Sequence, residues 1–422
     1  MDTDVIVIGA GLAGLQCARR LQRSGCRVTV LEAEDRVGGR VRTDVIDGFR
    51  CDRGFQVLNP AYPAVRDWIS VSALKLQKFG VGALVSTDEG ASLVAHPLRH
   101  PRLAPATLGS RHVQASDVLA LLRWMGPVLL RESRASRAAD DRTLRTSLDA
   151  AGLTGPLRRD LLDTFLAGVL ADSSGGKSAN YARLLMRWFA LGAPGLPEEG
   201  MQALPEQMSA SLADPVRLGT PVRELEDTAG RVRATTDSGA LHARLAVVAV
   251  GPQHAADLTD IPAPAAHGLT TWWFRASEPP GTGRFLMLDA ARAGGGPAGP
   301  VWNTAAISEV APSYAPAGEH LVQATTLLDQ PDGRAEERVI RRDLERLYRT
   351  STRDWELITH HVVPHALPAQ PPPLADRVGQ RINDRTLMAG DHREHGSIQG
   401  ALVSGDRAGQ AAAGLLASGG IV

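Results

Sequence analysis

Lysine is almost missing from this chain. Lys75, Lys78 and Lys177 are the only three among 46 basic residues, so a catalytic ammonium has few positions from which to come. Cysteine is equally sparse: Cys17, Cys26 and Cys51 are odd in number and confined to the first eighth of the sequence, which argues against a disulfide framework or a zinc site and fits a reducing cytoplasm. Aromatic residues make up only 4%, and none follows Trp355. The longest apolar stretch, Val118 to Leu130, is broken by Arg123 and by Gly126-Pro127 and is too short to cross a bilayer; a buried or groove-lining helix is expected instead. Neither sign of charge is in excess, with 46 acidic residues against the 46 basic, so neither nucleic acid nor an anionic membrane surface is an expected partner. The N-terminus shows no basic, apolar and small-residue succession, and no signal peptide is expected.

What is present begins at Asp4. DVIVIGAGLAGLQCARRLQRSGCRVTVLEAE reads as a buried apolar strand, a glycine turn, a helix and a second β-branched strand, one βαβ unit. Gly9 allows the tight turn, Gly11 lets the backbone approach a pyrophosphate and Gly14 lets the helix lie close on the strand. The helix N-terminus, through Leu12 and Ala13, offers free N–H groups to the phosphates. Glu32, with Ala33 beside it, closes the second strand about 20 residues on, where a carboxylate receives ribose hydroxyls. A further glycine pair, Gly38 and Gly39, then makes a second close backbone approach, and Arg40 adds a charged fork. A nicotinamide domain would usually proceed to its next helix here.

Taken together, GAGLAG, Glu32, DRVGGRVRT and DRGFQV at 52–57 resemble the flavin amine oxidase superfamily, which includes amine oxidases, protoporphyrinogen oxidases and plant-type carotenoid desaturases. The resemblance implies an α/β fold: a discontinuous, Rossmann-like FAD-binding domain of glutathione-reductase type (1–75, 196–265 and 366–422) with an α+β substrate domain (76–195 and 266–365). It also implies that Gly39 and Arg40 contact the FAD diphosphate and that Phe55, Gln56 and Val57 run past the flavin ring. The Gly200-Met201 and Leu204-Pro205 pattern resembles the segment that returns the chain to the cofactor, and Val222 would lie against the adenine. A plain core valine is equally consistent, and Phe55 and Val57 also fit an ordinary strand.

Two further patterns complete the reading. AEERVIRRDLERLYRTSTRDW has apolar residues at helical spacing, so its charges are expected on a solvated face, and ARAGGGPAG at 291–299 reads as a loop. TLMAGDHREHGSIQGALVSGDRAG, 386–409, is a second strand-to-helix glycine turn. Small residues recur every fourth position at Gly400, Ser404 and Ala408 and again at Ala401, Gly405 and Gly409, a pattern that lets one helix touch another backbone to backbone. By resemblance, Gly390 and Asp391 meet the ribityl or diphosphate region, while Ser397, Ile398, Gln399 and Ala401 border the flavin's pyrimidine edge.

Departures from the family pattern bear on function. Ser397 stands where amine oxidases of the superfamily carry an aromatic cage wall, and the strand HGLTTWWF, 267–274, lacks the lysine that reaches flavin N5 through water. Both departures point towards a desaturase or oxidase of an apolar or cyclic small molecule, with hydride passing from substrate C–H to N5. The alternatives are an amine oxidase for a secondary or hindered amine, with walls from Trp272, Trp273 or Trp302, and a non-catalytic flavoprotein. His392 or His395 could serve as base and Gln56 could orient substrate, although loop histidines more often make structural hydrogen bonds. No second strand-bound GxGxxG exists, so oxygen, a quinone or a partner protein would reoxidise the flavin. No metal is expected.

Overall fold

The computed structural model describes residues 3–130, 140–228, 230–292, 295–330, 333–375 and 377–418. Residues 293 and 294 of the expected 291–299 loop therefore lie outside the described residues.

Strand Val5–Ile8 is fully buried, as an apolar run with layers on both faces must be. It lies inside a four-stranded sheet whose order is Thr386–Met388, Leu245–Val248, Val5–Ile8 and Val28–Leu31, every pairing parallel. The sheet thus takes strands from the beginning, the middle and the end of the chain. Side chains alternate across it. Val5 and Val7 point to a helical layer, while Ile6 and Ile8 meet Val232, Ala234 and Leu241 of an antiparallel three-stranded sheet (Val222–Thr228, Arg231–Thr236, Gly239–Ala243). In the helical layer, helix Leu12–Arg23 packs on the last helix, Ile398–Ala417, where the small-residue periodicity is used as expected. A Cβ at position 405 would sit 2.1 Å from the Ala13 carbonyl oxygen, and one at 409 would sit 2.9 Å from that of Cys17.

A second, seven-stranded sheet runs in the order Glu356–Pro368, Ala266–Ala276, His320–Leu327, Asn303–Ala306, Leu286–Asp289, Gly82–Thr87 and Gly90–Ala95. Trp272, Phe274, Val322 and Ala324 on its outer face pack against Ile340, Leu344 and Leu347 of helix Glu337–Tyr348. That helix corrects one expectation. Asp343 is buried rather than solvated, because its carboxylate accepts the Val301 amide (3.0 Å) and pairs with Arg346, which also holds the buried Asp289. Helix Ala115–Leu130, expected to be buried or groove-lining, is not fully buried: Ala120, Trp124 and Met125 are buried, but Leu119 and Leu122 are 59% and 58% exposed.

Candidate active site

The glycine turns are built as backbone devices. Gly9 has φ of +100° and a Cβ there would lie 2.8 Å from Ala249 O, while Gly14 comes so close to Gly9 O that a Cβ would lie 1.9 Å from it. Gly11, the N-cap of the first helix, has no side chain to cap the helix amides and forms a parallel bridge with Gly38. Its own Cβ would meet nothing nearer than 4.0 Å, so the space beside it stays open. Glu32 is buried, and its carboxylate accepts the Ala10 amide (2.6 Å) and the Glu34 amide (3.0 Å), which fixes it at the end of the second strand. Exposed Ala33 follows it, and Thr220, two residues before half-buried Val222, donates its amide to the Glu32 carbonyl.

Arg40 joins the two ends of the chain. It donates to the Asp391 carboxylate (2.6 Å) and to the Ala366 carbonyl (2.7 Å), while Gln56 donates to the Arg40 carbonyl (2.8 Å). Burial alone would lower the Arg40 pKa; Asp391 outweighs it and raises the group above its ordinary value. The guanidinium is surrounded by protein yet keeps 38% of its side chain open, as a group on the wall of an internal cleft does. Pro252, Ala266, Pro368 and Asp391 line the same cleft. The side-chain oxygen Oε1 of Gln56 is buried without a partner among the described residues, and Phe55 and Val57 beside it are half-buried.

The second turn is held just as firmly. Gly390 donates its amide to Ser404, Ser397 caps the last helix by accepting the Gly400 amide (3.0 Å), and the Gln399 side chain accepts the Ala64 amide (2.8 Å). Ile398 and Gln399 provide the first two amides of that helix, which precede any intrahelical acceptor. Ile398 and Ala401 are half-buried. Across from these, the return segment docks where expected: Met201 donates its amide to Asp52 (3.1 Å), and Gln202 donates through its amide to Thr43 (3.0 Å) and through its side chain to Val37 (2.7 Å).

The two loop histidines are packed into protein, and His392 Nδ1 is buried without a partner among the described residues. The His395 ring is buried against Tyr181 and Trp188, with centroids 5.7 and 5.5 Å away, and its Nδ1 bonds to Ser397 (2.9 Å). His392 places Nε2 3.4 Å from the Met388 sulfur. Burial pushes both down to about 4, so each is neutral at pH 7 and a weak base. Of the tryptophans proposed as walls, Trp272 faces away from the first sheet and stacks on His360, and half-buried Trp302 packs with Ala167 and Leu269; Trp273 faces inward and donates its indole N–H to the Asp52 carbonyl (3.2 Å).

Sequence reasoning missed two features. Lys177 is 1% exposed, and its ammonium donates to the Pro368 carbonyl (2.9 Å), the residue that pairs with Ala266 on the cleft wall. Lys177 reaches this strand pair from the loop before helix Ala179–Leu191. Burial lowers it to about 8, against the opposing pull of Asp172 and Asp391. The second feature is a polar row on the inner face of the seven-stranded sheet, where cross-strand register sets Thr271, Asn303, Gln323 and Thr325 beside Trp273. All four are buried. Gln323 donates to Thr325 (2.7 Å), but Asn303 Oδ1, Gln323 Oε1 and Thr271 Oγ1 have no partner among the described residues. The period-2 alternation was the available signal, masked because the opposite face of the same strands is equally polar at Thr270 and Thr326.

Residues 12–413 match the model of the flavin containing amine oxidoreductases. The chain belongs to this family, and FAD is its cofactor. It is 27% identical over 272 residues to pseudooxynicotine dehydrogenase of a Pseudomonas species, covering 59% of this chain and 52% of that one. It is 30% identical over 249 residues to putrescine oxidase of Kocuria rosea, covering 53% and 49%. The chain thus spans about half the length of the curated relatives it matches. Among solved structures, cyclohexylamine oxidase of Brevibacterium oxydans IH-35A superposes with a TM-score of 0.66 at 20% identity, covering 99% of this chain and 100% of the other.

The site's own features fit the cofactor. Helix Leu12–Arg23 has no side-chain cap at Gly11, a glycine cradle is left open there, Arg40 ties that region to Asp391 just before helix Ile398–Ala417, and a buried orphan acceptor stands on the Gln56 side chain.

Proposed function

We propose that this chain is an FAD-dependent oxidoreductase that oxidises the C–H bond next to the nitrogen of a secondary or hindered amine. In that role the Gly9–Gly14 turn and Glu32 hold the adenosine half, Gly39, Arg40 and Asp391 the diphosphate and ribityl region, and Ile398 and Gln399 the flavin's pyrimidine edge, with Val222 at the adenine. Bound FAD supplies a hydride acceptor at N5. Donor groups at the pyrimidine edge would favour negative charge there, and the Lys177 ammonium stands behind the Pro368 wall of the cleft. Substrate would lie between segment 52–57 and the inner sheet face.

The observation that carries the amine reading is the buried polar row. Its acceptors at Asn303 and Gln323 lack partners among the described residues, Asn303 being covered by Gly168 of helix Asp163–Leu170, and in our reading an amine N–H, which a hydrocarbon lacks, meets this row when the helix gives way. The name of putrescine oxidase agrees with an amine as the substrate class, putrescine itself being a primary amine. A second reading, oxidation or desaturation of an apolar or cyclic molecule, is favoured by Ser397, since the cage wall of the family's amine oxidases is missing there. In both, no side chain needs to act as nucleophile. Oxygen, a quinone or a protein partner would receive the electrons.

Anaerobic mixing with a panel of secondary amines, primary amines and cyclic hydrocarbons, read at the flavin absorbance band, separates these readings. Bleaching by secondary amines supports the first and bleaching by hydrocarbons alone supports the second. No bleaching with any member would leave a flavoprotein without this chemistry.

A further inference from the structure

At the opposite edge of the seven-stranded sheet from Pro368, a cavity of about 480 Å³ opens between strand Gly82–Thr87 and a single turn of π-helix, Leu157–Leu162. Its size is that of a small-ligand site. Three guanidiniums line it, those of Arg111, Arg159 and Arg292, against the Asp160 carboxylate and, at the rim, that of Glu89.

The Asp160 carboxylate is already committed. Its two oxygens meet His112 Nδ1 (2.9 Å) and Arg159 Nε (2.9 Å), and His112 is 1% exposed, so the pair forms a fixed floor. Arg111 donates to Thr87 Oγ1 (2.5 Å) and pairs with Glu89 at the rim. Arg159 spends only its Nε on Asp160, leaving its two terminal nitrogens unclaimed, and no side-chain partner for Arg292 stands among the described residues. The wall is shaped to bring these groups together: Gly295 has φ of +99°, and a Cβ there would fall 2.0 Å from Arg159 Cγ, so the loop closes on Arg159 only with glycine at this position. π-Turns of this kind occur often at functional sites.

We propose that this cavity binds a small multiply charged oxyanion, a phosphate or diphosphate group, at a site separate from the flavin cleft. Like charges held around one space repel, and a planar fork with free N–H groups pairs well with phosphate oxygens. Arg159 and Arg292 bind the anion, Arg111 contributes from the rim, and His112 with Asp160 holds Arg159 in place. Helix Asp163–Leu170 continues directly from the π-turn, and its Gly168 lies against the Asn303 side chain on the polar row, so the two sites share one helix.

Isothermal titration of the FAD-loaded protein with sodium pyrophosphate and with sodium phosphate, against sodium chloride at equal ionic strength, tests this. One pyrophosphate per chain is expected, bound more tightly than phosphate, with flavin absorbance unchanged. Arg292→Ala and Arg159→Gln, both at exposed positions, should each weaken binding about tenfold. Glu89→Gln, which releases Arg111, should tighten it. Heats no larger than those of chloride, equal affinity in both arginine variants, or flavin released as pyrophosphate binds would each overturn the proposal.

Discussion

Replacing Lys177 by methionine should stabilise the flavin-free protein at neutral pH. The ammonium is buried on one carbonyl, and its pKa falls from 10.5 to about 8, a shift of roughly 2.5 units worth about 3 kcal/mol. Between pH 8 and 10.5 the unfolded chain keeps this proton while the folded chain has shed it, so stability rises with pH across that window and the penalty is complete below pH 8. Methionine removes the penalty but strands the Pro368 carbonyl, at a cost of about 1 kcal/mol. The net gain at pH 7 is about 2 kcal/mol. With unfolding entropy of about 2.1 cal/mol/K per residue, a chain of 422 residues would melt roughly 2 °C higher. The sign should reverse by pH 10.5, where only the lost hydrogen bond remains. Thermal and denaturant unfolding of both proteins from pH 7 to 10.5 measures this, and a stability difference that does not change with pH would refute the assignment of a destabilised, charged Lys177.

Other outcomes follow from the same geometry. Gly11→Val fills open space, so the protein should fold normally but purify colourless, whereas Gly14→Ala collides with Gly9 O and should lose several kcal/mol of stability; flavin absorbance and melting temperature distinguish the two. Asp391→Ala leaves Arg40 without its carboxylate and should also purify colourless, and stoichiometric flavin in both Asp391→Ala and Gly11→Val would sink the site assignment. Asp52, raised by burial to about 6, costs stability in its ionised form, so stability falls as pH rises from 3.8 to 6; in Asp52→Asn that slope should shrink. His392 and His395, neutral above about pH 5, should add no limb to the pH dependence of kcat/KM between pH 5.5 and 7, where an ordinary histidine would.

What the sequence disclosed was whatever the local backbone dictates. Gly9, Gly11 and Gly14 are required by a turn and a close helix contact, and Gly405 and Gly409 by a helix crossing, so these could be read from spacing alone. The arrangement of Thr271, Asn303 and Gln323 could not, because it depends on how three strands separated by up to some 50 positions come into register. Lys177 was invisible for a similar reason: nothing near it in sequence indicates that its amine ends on Pro368. For His395 the sequence left base and structural roles open, because the residues that pack on its ring, Tyr181 and Trp188, lie more than 200 positions earlier.

The parallel sheet that joins Val5–Ile8, Leu245–Val248 and Thr386–Met388 has a consequence for how the protein is made. On the proposed cofactor assignment both jaws of the cleft are needed to grip a dinucleotide, and the second, Gly390 to Ala401, is synthesised some 380 residues after the first. Until then the glycine turn at the front of the chain has no partner helix at Gly405, and the central strand lies open on one side. On that assignment flavin cannot be gripped until the second turn has been made, and a chain cut at residue 380 would carry a nucleotide fingerprint without the strand and helix that complete the site.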